Sequence, residues 1–173
     1  MFLLLIILFL LSLIHVFVMR STRTIQDLVM VPIDDTKPFL VLDLDYTLVN
    51  WFNKRRRHIA RFLSFAMPRY NIVIWSARYE YYTWVTVASF NRDYGLRVVK
   101  VMSPRDMSRG EDGKFKSLYT LAHQLGRAQI CAIAVDDDPR NFADTPQSRI
   151  VIGKWEDGGN DNALLDVISQ LKK

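Results

Sequence analysis

The chain has 173 residues, 50% of them hydrophobic and 24% charged, which excludes a disordered or low-complexity protein, because such chains lack the apolar surface that offsets the entropy of ordering. A single cysteine, Cys131, excludes an internal disulfide, and with His15, His58 and His123 it matches no zinc-binding spacing. The formal net charge of +5 favours anionic partners, which include phosphorylated ligands, lipid head groups and nucleic acid.

The first predicted element is an apolar segment, residues 2–19, interrupted only by Ser12 and His15. A helix of this length spans about 27 Å, close to the hydrocarbon thickness of a bilayer. No basic residue precedes the segment and no small-residue cleavage site follows it, which favours a membrane anchor over a cleaved signal peptide. Arg20 and Arg23 come next, so the positive-inside rule places the rest of the chain in the cytosol. Signal cleavage would instead send it to the secretory pathway.

Residues 20–37 are mixed and polar, and we expect them to form a linker between the anchor (residues 1–19) and a domain over residues 38–173. In that domain, apolar runs typical of strands alternate with helical stretches. The strand runs are 39–44, 71–75, 96–101, 130–135 and 149–152, and the helical stretches are 56–67, 79–93, 116–125 and 162–171. This order predicts an α/β fold, a Rossmann-like five-stranded parallel sheet covered on both faces.

Polar side chains follow three of the predicted strands, and a lysine precedes one of them. These residues are Asp43, Asp45 and Thr47 after the first strand, Ser76 after the second, Lys116 before the fourth, and Asp136 and Asp137 at its end; Ala77 follows Ser76. In open parallel sheets, ligands bind beyond the carboxyl ends of the strands. We therefore expect these groups to meet at one edge of the sheet.

Each of these residues also has a purely structural interpretation. An Asp-x-Asp pair after a strand is often a turn or a helix cap, Ser76 suits the cap of the next helix, and lysine is usually solvated. The acidic run 136–138 could be a simple turn. Adjacent carboxylates repel one another unless a cation compensates them, however, and this favours a functional site.

Four motifs in order resemble the haloacid dehalogenase (HAD) superfamily of phosphotransferases. They are D-x-D-x-T over residues 43–47, Ser76, Lys116 and the Asp136-Asp137 pair. The segments 125–127, 135–139 and 154–165 resemble, more closely, the small CTD phosphatases of the NLI-interacting-factor-like group, which includes membrane-anchored members. The resemblance covers residues 38–171 and implies a capless or minimally capped HAD core.

The resemblance and the residue chemistry together imply a phosphomonoester hydrolase that works through an aspartyl-phosphate. Asp43 is the predicted nucleophile. Asp45, two residues on and on the same side of an extended segment, is the predicted acid and base. Thr47 completes the motif, and Ser76, Ala77 and Lys116 are predicted to bind the phosphoryl group, since positioning and electrostatics supply most of this catalysis.

A cation is also implied, because a dianionic phosphate repels a carboxylate nucleophile. Mg²⁺ prefers oxygen ligands. Asp43 and Asp137 are predicted to supply carboxylates and Asp45 its backbone carbonyl, with Asp136 in close support; which of Asp136 and Asp137 is the main ligand stays open.

The segment between Asp43 and Ser76 is short and carries the basic run 54–58. Small CTD phosphatases have a longer β insertion there that helps to recognise the peptide, so their substrate is not carried over. An open site suits a macromolecular substrate, and we expect a phosphoserine or phosphothreonine protein. The basic run is predicted to start a helix, or else to meet an acidic phosphosubstrate or anionic lipid.

Two other functions are weighed against a membrane-anchored phosphatase. One is a catalytically weak binding module that resembles the phosphatase-like import-receptor subunit of the mitochondrial inner membrane. The other is a nucleic-acid-end phosphatase, with which the net charge agrees only unspecifically. The intact motif residues favour the enzyme; they are Asp43, Asp45, Thr47, Lys116 and Asp137.

Overall fold

The computed structural model describes residues 2–111, 113–158 and 161–172. Its helices are α1 (Phe2–Val29), α2 (Ile59–Ala66), α3 (Glu80–Tyr94), α4 (Leu118–Gln124) and α5 (Ala163–Gln170). Its strands are β1 (Phe39–Leu42), β2 (Asn71–Trp75), β3 (Lys100–Met102), β4 (Ser108–Gly110), β5 (Gly113–Phe115), β6 (Ala132–Asp136) and β7 (Arg149–Val151). Two short 3-10 helices, Pro104–Asp106 and Pro146–Ser148, follow β3 and precede β7.

Five strands form one parallel sheet in the order β3-β2-β1-β6-β7, as the sequence predicts. In the central register, Phe39 lies beside Asn71 of β2 and Ala132 of β6. The strand order reverses between β1 and β6. Such a reversal opens a crevice at the carboxyl edge, which is where ligands bind in this class of sheet.

The sheet is covered on both faces because successive strand residues point to opposite sides. Leu40 and Leu42 face a core that includes Phe62 of α2 and Phe90 of α3, with α5 packed beside them. On the other face, a second core joins strand residues to Leu121 of α4. Every residue of β1 is buried, and a continuous apolar run is what a strand with two covered faces needs.

A small antiparallel hairpin, β4 with β5, lies outside the predicted elements. Its strands have three residues each, too short to produce an alternating pattern. Gly113 at the start of β5 has a φ of +107°, a conformation that only glycine adopts readily. The hairpin leads directly into Lys116.

Helix α1 continues past the apolar segment as far as Val29, where a linker is expected. Val29 is buried, Val98 N–H donates to its carbonyl at 3.0 Å, and Val31 N–H donates to the Val98 carbonyl at 2.9 Å. Farther on, Asp34 N–H donates to the Asn71 side chain at 2.9 Å. Much of segment 20–37 is therefore seated on the domain. The stretch Ile6–Val29 is long and apolar enough to cross a membrane, by length and composition.

Candidate active site

Asp43 directly continues β1 at the point where the strand order reverses. Its N–H donates to the Val135 carbonyl at 3.0 Å, and its side chain is buried. The chain then turns sharply, because Leu48 and Val49 both donate to the Leu44 carbonyl at 2.9 Å. The motif D-x-D-x-T is thus wrapped around one tight turn at the carboxyl edge of the sheet.

Lys116 is the electrostatic centre of the site and is 1% exposed. Its Nζ forms an ion pair with Asp43 Oδ1 and a second one with Asp136 Oδ2, the latter at 2.7 Å. Lys116 is therefore not a solvated surface lysine, which was the structural alternative considered from the sequence. One ammonium joins the ends of β1 and β6.

Asn141 forms hydrogen bonds with both Lys116 and Asp136, although the sequence analysis did not predict it as a site residue. Its Oδ1 accepts from Lys116 N–H and its Nδ2 donates to Asp136 Oδ1, both at 3.0 Å. Asp138 N–H donates to the same Asp136 oxygen at 2.9 Å. Both carboxylate oxygens of Asp136 therefore accept hydrogen bonds, one of them from Lys116.

Three carboxylates meet beside Lys116: Asp43, Asp136 and Asp137 each offer an oxygen, and these oxygens lie within 4.8 Å of one another. The buried Thr47 donates from Oγ1 to Asp137 Oδ1 at 3.2 Å and so ties the motif turn to this cluster. Crowded carboxylates with oxygen donors only are the ligand set that Mg²⁺ prefers. The cluster predicted from the sequence therefore assembles in the fold.

Burial disturbs the charges of this cluster. It raises the pKa of Asp43 above its usual range, a rise that Lys116 opposes and Asp136 reinforces. It also raises the pKa of Asp137, with a further contribution from Asp136. Burial by itself lowers the pKa of Lys116, but the two paired carboxylates outweigh it and raise the pKa overall. A divalent cation next to these carboxylates favours their ionised forms.

Asp45 lies on the other side of the turn, against the end of β2. Ser76 Oγ donates to Asp45 Oδ2 at 3.1 Å, and Arg78 Nη2 forms an ion pair with Oδ1. The Arg78 guanidinium also lies over the Trp51 ring, 5.3 Å from the ring centre. Ser76 itself is fully buried and its hydroxyl contacts Asp45, whereas Ala77 is exposed.

An open pocket of about 590 Å³ gives solvent access to these groups. Its floor is acidic and contains Asp43, Asp45 and Asp137, with Lys116 behind them. Its mouth is formed by Ala77, Arg78, Trp51, Tyr79 and Pro104. No described segment covers the mouth as a separate cap domain, in agreement with the short segment between the first two motifs.

A family model for NLI interacting factor-like (NIF-like) phosphatases matches residues 38–173, which is most of the chain. The chain belongs to this family. The match begins just before β1 and spans every group of the pocket described above.

One relative and two solved structures are also similar to this chain. A mitochondrial import inner membrane translocase subunit, TIM50 of Candida albicans, is 28% identical over an alignment of 142 residues that covers 77% of this chain and 29% of that protein. The fission yeast RNA polymerase II CTD phosphatase Fcp1, in a variant bound to beryllium fluoride, aligns with a TM-score of 0.55 at 16% identity over 79% of this chain and 50% of that chain. A second Fcp1 structure gives 0.57 at 15% identity over 89% and 53%.

This NIF-like phosphatase chain therefore spans about half the length of the Fcp1 chains and less than a third of TIM50. At these identities the Fcp1 structures establish the shared fold. They confirm the predicted α/β architecture. The family model confirms the predicted resemblance to the NLI-interacting-factor-like phosphatases.

One residue of the basic run 54–58 is more deeply buried than the others. Arg56 is buried, and it bonds to Asp161 through Nε at 2.5 Å, to the Thr47 carbonyl at 3.1 Å and to the Gly153 carbonyl at 2.8 Å. It fastens the motif turn to the C-terminal segment of the NIF-like domain. The helix expected from residue 56 begins instead at Ile59.

Proposed function

We propose that the protein is a Mg²⁺-dependent phosphomonoester hydrolase that forms an aspartyl-phosphate on Asp43. The observation that carries the proposal is the buried Lys116 between Asp43 and Asp136, at the edge where the strand order reverses. A lysine and three carboxylates in one water-accessible pocket suit phosphoryl transfer better than a structural role, because desolvating them costs stability.

In the proposed reaction, a carboxylate oxygen of Asp43 attacks phosphorus and the bond to the leaving alkoxide breaks. Asp45 gives that alkoxide a proton, then accepts one from the water that attacks the aspartyl-phosphate, so that inorganic phosphate leaves and Asp43 is regenerated. Lys116 holds Asp43 in place throughout. The Ser76 hydroxyl orients Asp45 toward the pocket from the end of β2.

The residues present fit a magnesium ion. Asp43 and Asp137 would hold it through carboxylate oxygens, since both Asp136 oxygens already accept from Lys116, Asn141 or a backbone N–H. The ion would neutralise charge between the phosphate and the nucleophile.

We propose a phosphoprotein, phosphorylated on serine or threonine, as the substrate. The pocket is open and has no cap domain among the described residues, which suits a macromolecular chain better than a small metabolite. Fcp1, with the same fold, is named for its action on the CTD of RNA polymerase II, a protein substrate.

The direct test is hydrolysis of p-nitrophenyl phosphate and of phosphopeptides by the full chain, with and without Mg²⁺. Asp43→Asn keeps the side-chain shape but removes the nucleophile, so kcat should fall by at least about 10³-fold. The thermal unfolding midpoint of the variant shows whether it still folds. Activity within tenfold of wild type would exclude Asp43 as the nucleophile.

The likeness to a translocase subunit favours a second candidate, a membrane-associated binding module with weak or no catalysis. Absence of Mg²⁺-dependent turnover on every phosphorylated substrate, together with retained fold, would favour it over the enzyme.

We further propose that residues 2–19 cross a membrane and leave the catalytic domain in the cytosol. The described side chains of this segment are mostly apolar and, apart from the half-buried Val18, exposed; Arg20 and Arg23 follow the segment. A cleaved signal peptide is the alternative.

A further inference from the structure

Helix α1 reaches the domain at the same edge of the sheet that holds the catalytic pocket. A groove beside this edge is lined by Met19, Arg20 and Arg23 of α1 and by Glu80, Tyr81 and Arg105 of the domain. Glu80 begins α3 just after the carboxyl end of β2, and Arg105 lies in the short helix after β3. The end of the apolar segment is therefore level with the carboxyl edge.

The other end of α1 lies toward the opposite edge. Val29 accepts from Val98, which precedes β3, and the neighbouring Val99 N–H donates to the Ile72 carbonyl near the start of β2. The axis of α1 thus runs from the carboxyl edge back toward the amino edge. Residues 6–14, all exposed, extend outward on the pocket side of the domain.

The pocket mouth and the α1 groove are immediate neighbours. Tyr79 and Pro104 line the mouth, and the next residue in each case, Glu80 and Arg105, lines the groove. If α1 crosses a bilayer, as proposed above, the pocket must open toward that bilayer, because a continuous helix seated at Val29 leaves little freedom to rotate the domain away.

The same side of the domain carries an aromatic rim, defined as Trp51, Phe52, Tyr79, Tyr81 and Tyr82. Trp51 is 63%, Phe52 88% and Tyr79 81% exposed. Large exposed aromatic groups in one area indicate an interaction surface. Tryptophan and tyrosine favour the boundary between head groups and hydrocarbon, and arginine favours anionic lipid. Beside the rim, Arg20, Arg23 and Arg105 outnumber the single acid Glu80.

We propose that the aromatic rim lies on the anionic surface of the bilayer that α1 crosses, so that the catalytic pocket opens onto the membrane. The inference rests on the proposed membrane span and narrows the substrate class. The phosphorylated residues that reach Asp43 are those of proteins held at the same membrane, in segments close to its surface.

The chain contains a probe for this contact. Trp51 is exposed, whereas Trp75, Trp84 and Trp155 are buried. The full chain is reconstituted in vesicles of phosphatidylcholine and phosphatidylserine, with or without brominated acyl chains, which quench tryptophan only at short range. We expect brominated vesicles to reduce the emission of the wild type, and Trp51→Phe to abolish most of that reduction.

A matched control places a tryptophan at the opposite edge. Gln129 is exposed in the loop before β6, close to where Cys131 pairs with Phe39. In the Trp51→Phe background, Gln129→Trp should show no added quenching and Phe52→Trp should restore it. Equal quenching at both positions, or none at either in a chain that floats with the vesicles, would overturn the proposal. A chain that does not float overturns the span itself. Turnover is not needed, so a catalytically inactive protein is still tested.

Discussion

At the scale of single residues, the pocket is dominated by negative charge. Asp43, Asp45 and the run 136–138 line it, and Lys116 is already paired with two of these carboxylates. An incoming phosphate adds further negative charge. The site can bind it only if additional positive charge lies within reach; Arg78 lies at the pocket mouth, and the proposed magnesium ion would add to it.

Arg78 is the first residue-scale prediction. Its guanidinium pairs with Asp45 and lines the pocket mouth, where it can donate two parallel hydrogen bonds to a phosphate. Arg78→Gln should lower kcat/KM for phosphomonoesters by about 10- to 100-fold and weaken competitive inhibition by vanadate, since charge-assisted bonds contribute about 1.5–3 kcal/mol. Steady-state kinetics measure both. Arg105→Gln, which removes an equal charge outside the pocket, is the control; equal losses in the two variants would contradict the assignment.

The second prediction at the residue scale concerns Asp137. Thr47 donates to one of its oxygens, and the carboxylate is half-buried beside Asp43. Asp137→Asn keeps that acceptor but removes the charge, so Mg²⁺ should no longer raise the unfolding temperature as binding does for the wild type. Differential scanning fluorimetry over a Mg²⁺ titration measures this. Asp138→Asn is the control, because Asp138 pairs with Arg140 instead. An unchanged titration in Asp137→Asn would make Asp136 the main ligand.

At the scale of elements, the motif turn after β1 has little regular structure of its own. The Arg56 side chain stabilises this turn, because it donates to the Thr47 and Gly153 carbonyls and pairs with Asp161. Arg56→Met should lower the free energy of unfolding by about 3 kcal/mol, since a buried charge and two carbonyls lose their partner. Urea unfolding of the detergent-solubilised chain measures it. Arg61→Met, at an exposed position of α2, should change it far less; a similar loss there would contradict the role of Arg56.

The same ion pair predicts a pH effect. Burial acts to raise the pKa of Asp161, but the hydrogen bonds from Arg56 and from the Ala163 N–H lower it overall. A lowered pKa in the folded state contributes stability above the ordinary carboxylate pKa, and this contribution is lost as the pH falls through the lowered value. The difference in stability between wild type and Arg56→Met should therefore shrink in acid. A difference that stays constant down to about pH 2, below the ordinary carboxylate pKa, would contradict it.

At the scale of the whole molecule, α1 sets how the domain is held. The helix runs without a break from Phe2 to Val29, so a long flexible tether does not separate the apolar segment from the domain. With a C-terminal tag, the chain of residues 1–173 should remain in the membrane pellet after carbonate washing. The tag should be digested only when protease reaches the cytosolic side. A soluble product that has lost the apolar segment would show signal cleavage instead.

The sequence by itself determined the alternation of strands and helices and the residues that meet at the site. The alternation of strands and helices can be predicted from local hydrophobic patterns, such as the continuous apolar run of β1 and the amphipathic pattern of α5. The second follows because the carboxyl ends of parallel strands share one edge, so Asp43 and Asp136 belong to the same edge once both strands are recognised. The pairing of β1 with β6, which makes the two residues neighbours, comes from the tertiary structure.

Only the tertiary structure decided which of the long polar side chains are buried. Lys116 is 73 residues from Asp43 in the chain, and Arg56 is 105 residues from Asp161. Neither spacing has a local signal, because lysine and arginine look alike in a sequence whether they are solvated or paired. The direction of α1 was likewise decided only by the tertiary structure. Its apolar residues predict a helix, but its path past the catalytic edge depends on Val29 packing against Val98, a contact between segments far apart in the chain.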